Sequence, residues 1–156
     1  MAKFIVAISY NKGVIECRQY EKLDGNYFAS FVRNNFDAMF TRAEKENSRM
    51  WLQDGDPSQN SAVVRKVLHL KRAKLLSIPP RSPDINPIEN FFNLIKIELR
   101  RQALQDNITR ENYEAFSQRV YNTMINFPAE QIDKIIDTMN KRMDLIIKGN
   151  GKRTKY

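Results

Sequence analysis

Short apolar runs near the start of the chain predict a β-hairpin. Phe4 to Ser9 is apolar and rich in residues that favour β-structure, as is typical of a buried strand. Asn11-Lys12-Gly13 is a turn signal, and Val14 to Tyr20 is the predicted partner strand. We therefore expect two paired strands at the amino-terminal end of the chain.

The next stretch predicts a long amphipathic helix. Asp24 is its predicted N-cap, because a short polar side chain at that position accepts a hydrogen bond from the first helical turn. Apolar residues then recur at helical spacing and are predicted to point inward. They are Tyr27, Phe28, Phe31, Val32, Phe36 and Phe40.

A strand-helix-strand unit follows a charged connection. Met50 to Gln53 and Lys74 to Ile78 are predicted strands, and Ser58 to Leu70 is the helix predicted between them. This order favours a parallel crossover. The residues predicted to face inward on the helix are Ala62, Val63, Val67 and Leu70.

The second half of the chain is predicted to be helical. A loop without regular structure is expected across Pro79, Pro80 and Pro83, and Pro87 suits the first position of a helix that runs to about Leu104. Its predicted apolar face is Ile88, Phe91, Phe92, Ile95 and Leu99.

Two further helices are expected after it. Thr109 is the predicted cap of one helix, with Tyr113, Phe116, Val120 and Met124 inward. Pro128 begins the last helix, which ends at Gly149. The predicted inward residues of this last helix are Ile132, Ile135, Ile136, Met139, Met143 and Ile146.

Composition narrows the class of protein. A chain of 156 residues, 42% of them hydrophobic, is sufficient for one domain with a core. A formal charge of +8 favours a polyanionic partner. The single cysteine, Cys17, excludes a disulfide framework within one chain and a Cys-based zinc site. No apolar run is long enough for a transmembrane helix, and the start lacks a signal-peptide layout, so we expect an intracellular protein.

Two carboxylates stand at positions that suit a metal site. Asp54 follows the predicted strand that contains Trp51 and Leu52, and Glu89 lies in the first turn of the helix that begins at Pro87. Two carboxylates that converge from different elements are able to share Mg²⁺, which prefers hard oxygen ligands. We interpret Asp54 and Glu89 as candidate metal ligands.

The residues around these carboxylates carry a family resemblance. Trp51-Leu52-Gln53-Asp54-Gly55-Asp56-Pro57 and Ser82-Pro83-Asp84-Ile85-Asn86-Pro87-Ile88-Glu89-Asn90 resemble the second and third carboxylate motifs of the Tc/mariner superfamily of DDE transposases. The predicted hairpin, the start of the first helix and the segment from Asp133 to Tyr156 are similar to the family too. The resemblance thus extends over nearly the whole chain.

The resemblance implies an α/β, ribonuclease-H-like fold. Its mixed sheet would have flanking helices and a helical C-terminal portion. The family's first, central strand carries the first carboxylate, and this chain is expected to begin after that strand. Upstream of Asp54 the only Asp residues are Asp24, a predicted cap, and Asp37, within the predicted helix. We expect one truncated domain over residues 1–147 and a basic flexible tail over 148–156.

The resemblance also implies a function. The chain would be a catalytic-domain fragment of a DNA transposase, with Asp54 and Glu89 as catalytic residues and as ligands of Mg²⁺ or Mn²⁺ once a third carboxylate completes the site. Without that carboxylate, whether the chain is an enzyme stays open. The expected partners are DNA and another transposase chain, in the nucleus, with neither a membrane nor a small-molecule cofactor.

Two other functions remain open. One is a non-catalytic nucleic-acid-binding remnant or a partner that inserts into full-length transposase. The other is a basic helical interaction module without a role on DNA. Nicking of DNA that depends on a metal separates the enzyme from both, and salt-dependent DNA binding separates the remnant from the helical module.

Basic residues on the helix that carries Glu89 are candidate DNA contacts. Lys96 and Arg100 share one face with Glu89 and Asn93, so they would lie beside the carboxylate where a phosphate is expected. The alternative is a solvated face with pairing between residues four apart.

The predicted tail adds further candidates, because Lys152 and Arg153 are able to follow a phosphate backbone or simply to raise solubility. His69, the only histidine, lies late in an amphipathic helix, so we expect it at the surface. The family has a histidine shortly after the second carboxylate motif, and here Gln59 and Asn60 occupy that stretch.

Overall fold

The computed structural model describes residues 2–76, 78 and 82–149. Within them the chain forms a β-hairpin, a long helix, a strand-helix-strand unit and then a run of helices. No helix in this part of the chain combines the length and the apolar character needed to cross a bilayer.

The hairpin consists of β1 (Phe4–Ser9) and β2 (Gly13–Gln19), which pair antiparallel as expected. Gly13 has a φ of 71°, in the left-handed region where a side chain is strained. A Cβ atom on Gly13 would also lie 3.2 Å from the Cβ of Ala129. Glycine therefore serves this turn both by its conformation and by letting a later helix approach it.

Helix α1 (Gly25–Arg42) begins at the predicted cap. The side chain of Asp24 accepts a hydrogen bond from the backbone N–H of Tyr27 at 2.9 Å. The expected inward residues Phe28, Phe31, Val32, Phe36 and Phe40 are buried. The prediction for Tyr27 was wrong, because this residue in the first turn is 37% exposed and its ring lies beside that of Tyr20.

Strands β3 (Met50–Leu52) and β4 (Lys74–Leu76) flank helix α2 (Ala62–Leu70) and pair in parallel, which confirms the crossover. The helix begins later than the predicted Ser58. Asp56 accepts from the N–H of Ser58 at 2.7 Å, and the Asn60 side chain donates to the Asp54 and Asp56 carbonyls, each at 2.8 Å. These side-chain bonds stabilise a turn in place of a first helical turn.

The buried face of α2 is rotated from the predicted one. Val64, Val67 and Leu68 are buried, whereas Ala62 is exposed and Leu70 is 70% exposed. Val67 belongs both to the predicted apolar stripe and to the neighbouring stripe that contains Val64 and Leu68. The hydrophobic pattern alone does not show which of the two faces the core. Packing against α1 selects the stripe that contains Val64.

The start of the next helix matches the prediction, with one exception before it. Helix α3 (Pro87–Gln105) has Pro87 at its first position and Asn86 as its cap. Pro83 begins a short 3₁₀ helix (Pro83–Ile85), where we expected no regular structure. The fixed φ of proline suits the first position of a helix, and Pro83 therefore begins this short helical turn. Pro79 and Pro80 lie outside the described residues.

Helix α4 (Tyr113–Ile125) starts later than the predicted cap at Thr109. Asn112 is its cap and accepts from the N–H of Ala115 at 2.8 Å. Tyr113, expected inward, is 54% exposed, and its hydroxyl accepts a hydrogen bond from Gln19 at 3.2 Å. A stronger cap three residues later thus moved the helix start and left Tyr113 outside the core, while Val120 and Met124 are buried as predicted.

The last predicted helix is two helices, α5 (Ala129–Asp137) and α6 (Met139–Lys148). Thr138 separates them, and its hydroxyl donates to the carbonyl of Ile135 at 2.7 Å. Ile132 and Ile135 are buried as predicted, but Met143 is exposed. The break interrupts the helix at Thr138, and the apolar stripe of α5 does not continue at Met143.

Two apolar cores lie on opposite faces of the hairpin. The first is built mainly from α1 and α2, and the second from α3, α4 and α5. Ile5 and Ala7 of β1 pack against the first core, whereas Val6 and Ile8 pack against the second. The alternation of side chains along a strand therefore lets one hairpin serve both cores.

Hydrogen bonds join β1 to β2 and β3 to β4, and within the described residues they do not join the two pairs. The edges of β1 and β3 are thus left without a neighbouring strand, as expected of a sheet with a gap.

The two edge strands run in opposite directions. Lys45, shortly before β3, donates to the carbonyl of Tyr10, just after β1, at 2.9 Å. At the other end, the N–H of Tyr20 donates to the carbonyl of Lys3, just before β1. Burial and then the charge of Asp56, just after β3, raise the pKa of Tyr20, so the end of β3 lies near the start of β1.

The half-buried thiol of Cys17 gives a first testable prediction. Burial, with a smaller effect of Glu16, raises its pKa to about 11, and its Sγ lies 3.9 Å from the sulfur of Met124. Because the thiolate is the reactive form, we expect the native protein to react slowly with a disulfide reagent at pH 8 and rapidly in urea. Equal labelling rates in both conditions would contradict the half-buried position.

Candidate active site

Asp54 lies immediately beyond the end of β3. Gln53 before it is buried and accepts from the indole N–H of Trp51 at 2.8 Å. The Asp54 side chain is exposed and accepts from the N–H of Gly55 at 2.6 Å, while its carbonyl accepts from Asn60. The backbone around Asp54 is therefore held on both sides, while its carboxylate is open to solvent.

Glu89 lies in the first turn of α3 and is half-buried. Its N–H donates to the carbonyl of Asn86 at 3.2 Å, and the Asn86 side chain accepts from Ile88 at 3.3 Å. A carboxylate in the first turn is stabilised by the positive end of the helix dipole. The local structure thus fixes the backbone of Glu89 at the start of α3.

Asp54 and Glu89 line the same cavity, of about 420 Å³. Its wall includes every residue of β1 and β3 together with the residues at the start of α3. The structure therefore brings the two carboxylate-bearing residues to one cleft, as expected from their position at the end of a strand and the start of a helix. The cleft lies along the edges of β1 and β3, which have no neighbouring strand among the described residues.

The two upstream aspartates have other roles. Asp24 caps α1, as described above. Asp37 lies on α1 and pairs with Lys71 and Arg49, and these contacts, led by the hydrogen bond from Lys71, lower the pKa of its carboxyl. Neither residue lines the cavity. In the part of the chain that is described, His, Cys, Asp and Glu form no group of three or more able to hold a metal.

The candidate DNA contacts on α3 are accessible. Lys96 and Arg100 are exposed, and neither takes part in the ion pairs found among the described residues. Lys152 and Arg153 lie outside the described residues, as does most of the predicted tail. His69 is exposed, as expected.

One residue beside the site was not identified from the sequence. Arg142 on α6 is 4% exposed, and its Nη1 donates to the carbonyl of Asp84 at 3.2 Å. The apolar pattern assigned the inward position to Met143, and an arginine is rarely a predicted core residue. No signal in the sequence pattern pointed to Arg142.

Comparison with known proteins identifies the family. A family model described as "DDE superfamily endonuclease" matches residues 2–110. The chain is similar to the Tc1 transposase of Caenorhabditis elegans, at 36% identity over 104 residues, which cover 67% of this chain and 36% of that protein. The chain thus spans just over a third of the length of this relative.

Solved structures confirm the predicted ribonuclease-H-like fold. The chain is similar to the catalytic domain of Mos1 mariner transposase solved with Raltegravir and Mn, with a TM-score of 0.78 and 18% identity. That match covers 99% of this chain and 82% of the other. A pre-cleavage Mos1 transpososome also matches, with a TM-score of 0.78 and 18% identity over 92% of this chain and 43% of the other.

Proposed function

Because the chain belongs to the DDE superfamily endonuclease family, we propose that it is part of the catalytic domain of a DNA transposase. A complete enzyme of this kind would cleave phosphodiesters with water and then join strands with a DNA 3′-hydroxyl. The observation that carries the proposal is the shared cavity lined by Asp54 and Glu89. Its setting is the nucleus, where chromosomal DNA is the substrate.

Asp54 and Glu89 are the residues that would hold a metal. Their carboxylate oxygens are the hard ligands that Mg²⁺ and Mn²⁺ prefer, so the donor set fits these ions. When bound, such ions supply an activated nucleophile and stabilise charge on the leaving oxygen. The chain itself contributes fixed positions, because Asn60 holds the backbone at Asp54 and Asn86 caps the helix of Glu89.

A strand that enters the cavity would complete the site. The cavity follows the free edges of β1 and β3, whose backbone groups are available to a further strand. Since β1 and β3 run in opposite directions, the added strand would be antiparallel to one and parallel to the other. We assign to this strand the third carboxylate, from a segment upstream of Met1 or from another transposase chain.

Metal binding tests the proposal directly. Asp54→Asn and Glu89→Gln are each expected to weaken Mn²⁺ binding at least about tenfold in calorimetry. Replacing a residue that only hydrogen-bonds a metal ligand already lowers metal affinity by about that factor. Asp56→Asn and Glu114→Gln are matched controls, as one alters the neighbouring turn and the other a first-turn glutamate of α4. Equal affinities in all four variants would contradict the assignment.

A second candidate function is a non-catalytic remnant that binds nucleic acid or partners a full-length transposase. It is favoured by the absence of a three-acid group in the described part of the chain. In this case a further strand would bind in the cavity, but the completed site would not cleave DNA. Activity of a completed site, argued in the Discussion, separates this function from the first.

Both functions predict DNA binding through phosphate contacts. With a charge of +8 and no evident means of base readout, the protein is expected to bind duplexes of any sequence, with affinity that falls steeply as salt rises. Lys96→Gln with Arg100→Gln should reduce the slope of log affinity against log salt by about 2.

The matched control for DNA binding changes two exposed cations on other helices, Arg33→Gln on α1 with Lys66→Gln on α2. If α3 contacts the DNA phosphates, this double variant keeps a steeper slope of log affinity against log salt than Lys96→Gln with Arg100→Gln. Binding that stays unchanged between low and high salt would contradict a phosphate-dominated mode, whereas no binding to DNA at all would favour the helical interaction module.

A further inference from the structure

Arg142 is a buried cation on α6, next to Met143, which was predicted to face inward and is exposed. Only 4% of its surface is exposed, although it lies on α6 near the described end of the chain. Burial of a guanidinium is unfavourable unless hydrogen bonds replace its water. Its acceptors therefore indicate what this position does.

One acceptor is the backbone of the segment that leads into α3. Nη1 of Arg142 donates to the carbonyl oxygen of Asp84 at 3.2 Å, across 58 positions of sequence. Asp84 is the middle residue of the 3₁₀ helix Pro83–Ile85. The planar guanidinium offers donors in fixed directions, so it restrains the carbonyl it contacts more strongly than a lysine does.

Hydrogen bonds connect this short helix to Glu89. The N–H of Asn86 donates to the carbonyl of Pro83 at 3.0 Å, and the N–H of Glu89 donates to the carbonyl of Asn86 at 3.2 Å. Asn86 is buried and its side chain caps α3. A shift at Asp84 would therefore move the cap and, with it, the first turn that carries Glu89.

Helix α6, which carries Arg142, is joined to the second core through α5. It follows α5 directly, with Thr138 bonded to the carbonyl of Ile135. Ile132 and Ile135 of α5 lie in the second core together with Phe91 of α3. Arg142 is thus connected through α5 to the core that contains Phe91 of α3.

We propose that Arg142 is a positioning residue that fixes the 3₁₀ helix Pro83–Ile85 and thereby holds Glu89 at the cavity. Its consequence for metal binding rests on the function proposed above. Its consequence for the backbone does not, because that concerns only how firmly the first turn of α3 is held.

Amide hydrogen exchange, resolved by residue, tests the backbone part. In Arg142→Met we expect exchange at Asn86, Ile88 and Glu89 to become at least about tenfold faster, since an opening that costs 1.4 kcal/mol less is ten times as frequent. Arg142→Lys keeps the charge and is expected to give a smaller increase. Lys141→Met, an exposed neighbour on α6, is the control and should change nothing.

A second readout separates positioning from general stability. Mn²⁺ affinity should fall about tenfold in Arg142→Met and recover in part in Arg142→Lys, while the amides of β1, β2 and α5 keep their protection. Unchanged exchange at the three α3 amides would overturn the proposal. So would faster exchange throughout the hairpin and α5, since that is loss of overall stability.

The two proposals fail separately. If the unaltered protein does not bind Mn²⁺, the metal-site function is wrong, and the exchange pattern still decides whether Arg142 fixes the start of α3. If Mn²⁺ binds and depends on Asp54 and Glu89 but not on Arg142, the function stands and the positioning role is wrong.

Discussion

Residues 1–156 alone are expected to leave supercoiled DNA intact with Mg²⁺ or Mn²⁺, whereas the chain completed by a strand carrying an aspartate is expected to nick it. The described part of the chain brings Asp54 and Glu89 to one cavity and no third acid into a group with them. A two-metal mechanism needs a clamp on both the attacking and the leaving oxygen, and two carboxylates from separate elements hold one ion loosely.

The strand is supplied in two ways, either by a longer chain translated from further upstream or as a separate peptide added to residues 1–156. The control is the same strand with asparagine in place of its aspartate. In the completed protein, Asp54→Asn and Glu89→Gln should each lower the nicking rate about 10²–10³-fold, because metal-based charge stabilisation is worth several kcal/mol. Asp56→Asn and Glu114→Gln should leave the rate within about threefold.

Two outcomes would change this interpretation. Nicking by residues 1–156 alone, lost in Asp54→Asn and in Glu89→Gln, would show that the site works without an added strand. No nicking in any completed form, with DNA binding retained, would favour the non-catalytic remnant. The assay therefore decides between an enzyme and a binding protein, which the family membership by itself does not.

Elements with a strong local pattern were predictable from the sequence. The hairpin, α1 and α3 have apolar periodicity together with a turn or cap residue at the boundary, so local and long-range preferences agree. The parallel pairing of β3 and β4 followed from element order alone. In these places the sequence contains the determinants of the structure within a few neighbouring residues.

The errors in helix boundaries occurred where polar side chains bind the backbone. Asp56 and Asn60 stabilise a turn that delays α2, Asn112 takes the cap expected of Thr109, and Thr138 stands between α5 and α6. Such bonds compete with helix formation over one or two residues, and apolar periodicity does not register them.

The candidate site was predictable in its carboxylates and not in its support. Asp54 and Glu89 stand in two motifs, one at a strand end and one at a helix start, from which a shared cleft was predicted, and both residues line one cavity. Arg142 was missed because its contact with the carbonyl of Asp84 depends on the path of the chain through α5 and α6. A contact to a backbone carbonyl leaves no complementary side chain that a sequence pattern would reveal.

Phe36→Ala is expected to have the largest effect on stability. The Phe36 ring is fully buried on α1, 4.6 Å from the ring of Phe40 and 5.4 Å from that of Trp51 between centroids. Truncation of such a ring removes its transfer free energy and leaves a cavity, at a cost of about 3–5 kcal/mol. That is a large part of the roughly 5–15 kcal/mol by which a domain is stable.

Urea unfolding measures the change in the free energy of unfolding. Phe36→Leu keeps most of the volume and should cost less than half as much, while Leu104→Ala, at a side chain 81% exposed, should stay within about 0.5 kcal/mol. Because Trp51 packs on Phe36 and lies in β3, which ends just before Asp54, the alanine variant should also weaken Mn²⁺ binding. A cost below about 1 kcal/mol would mean that the first core does not hold β3, and the position of Asp54 would then need another support.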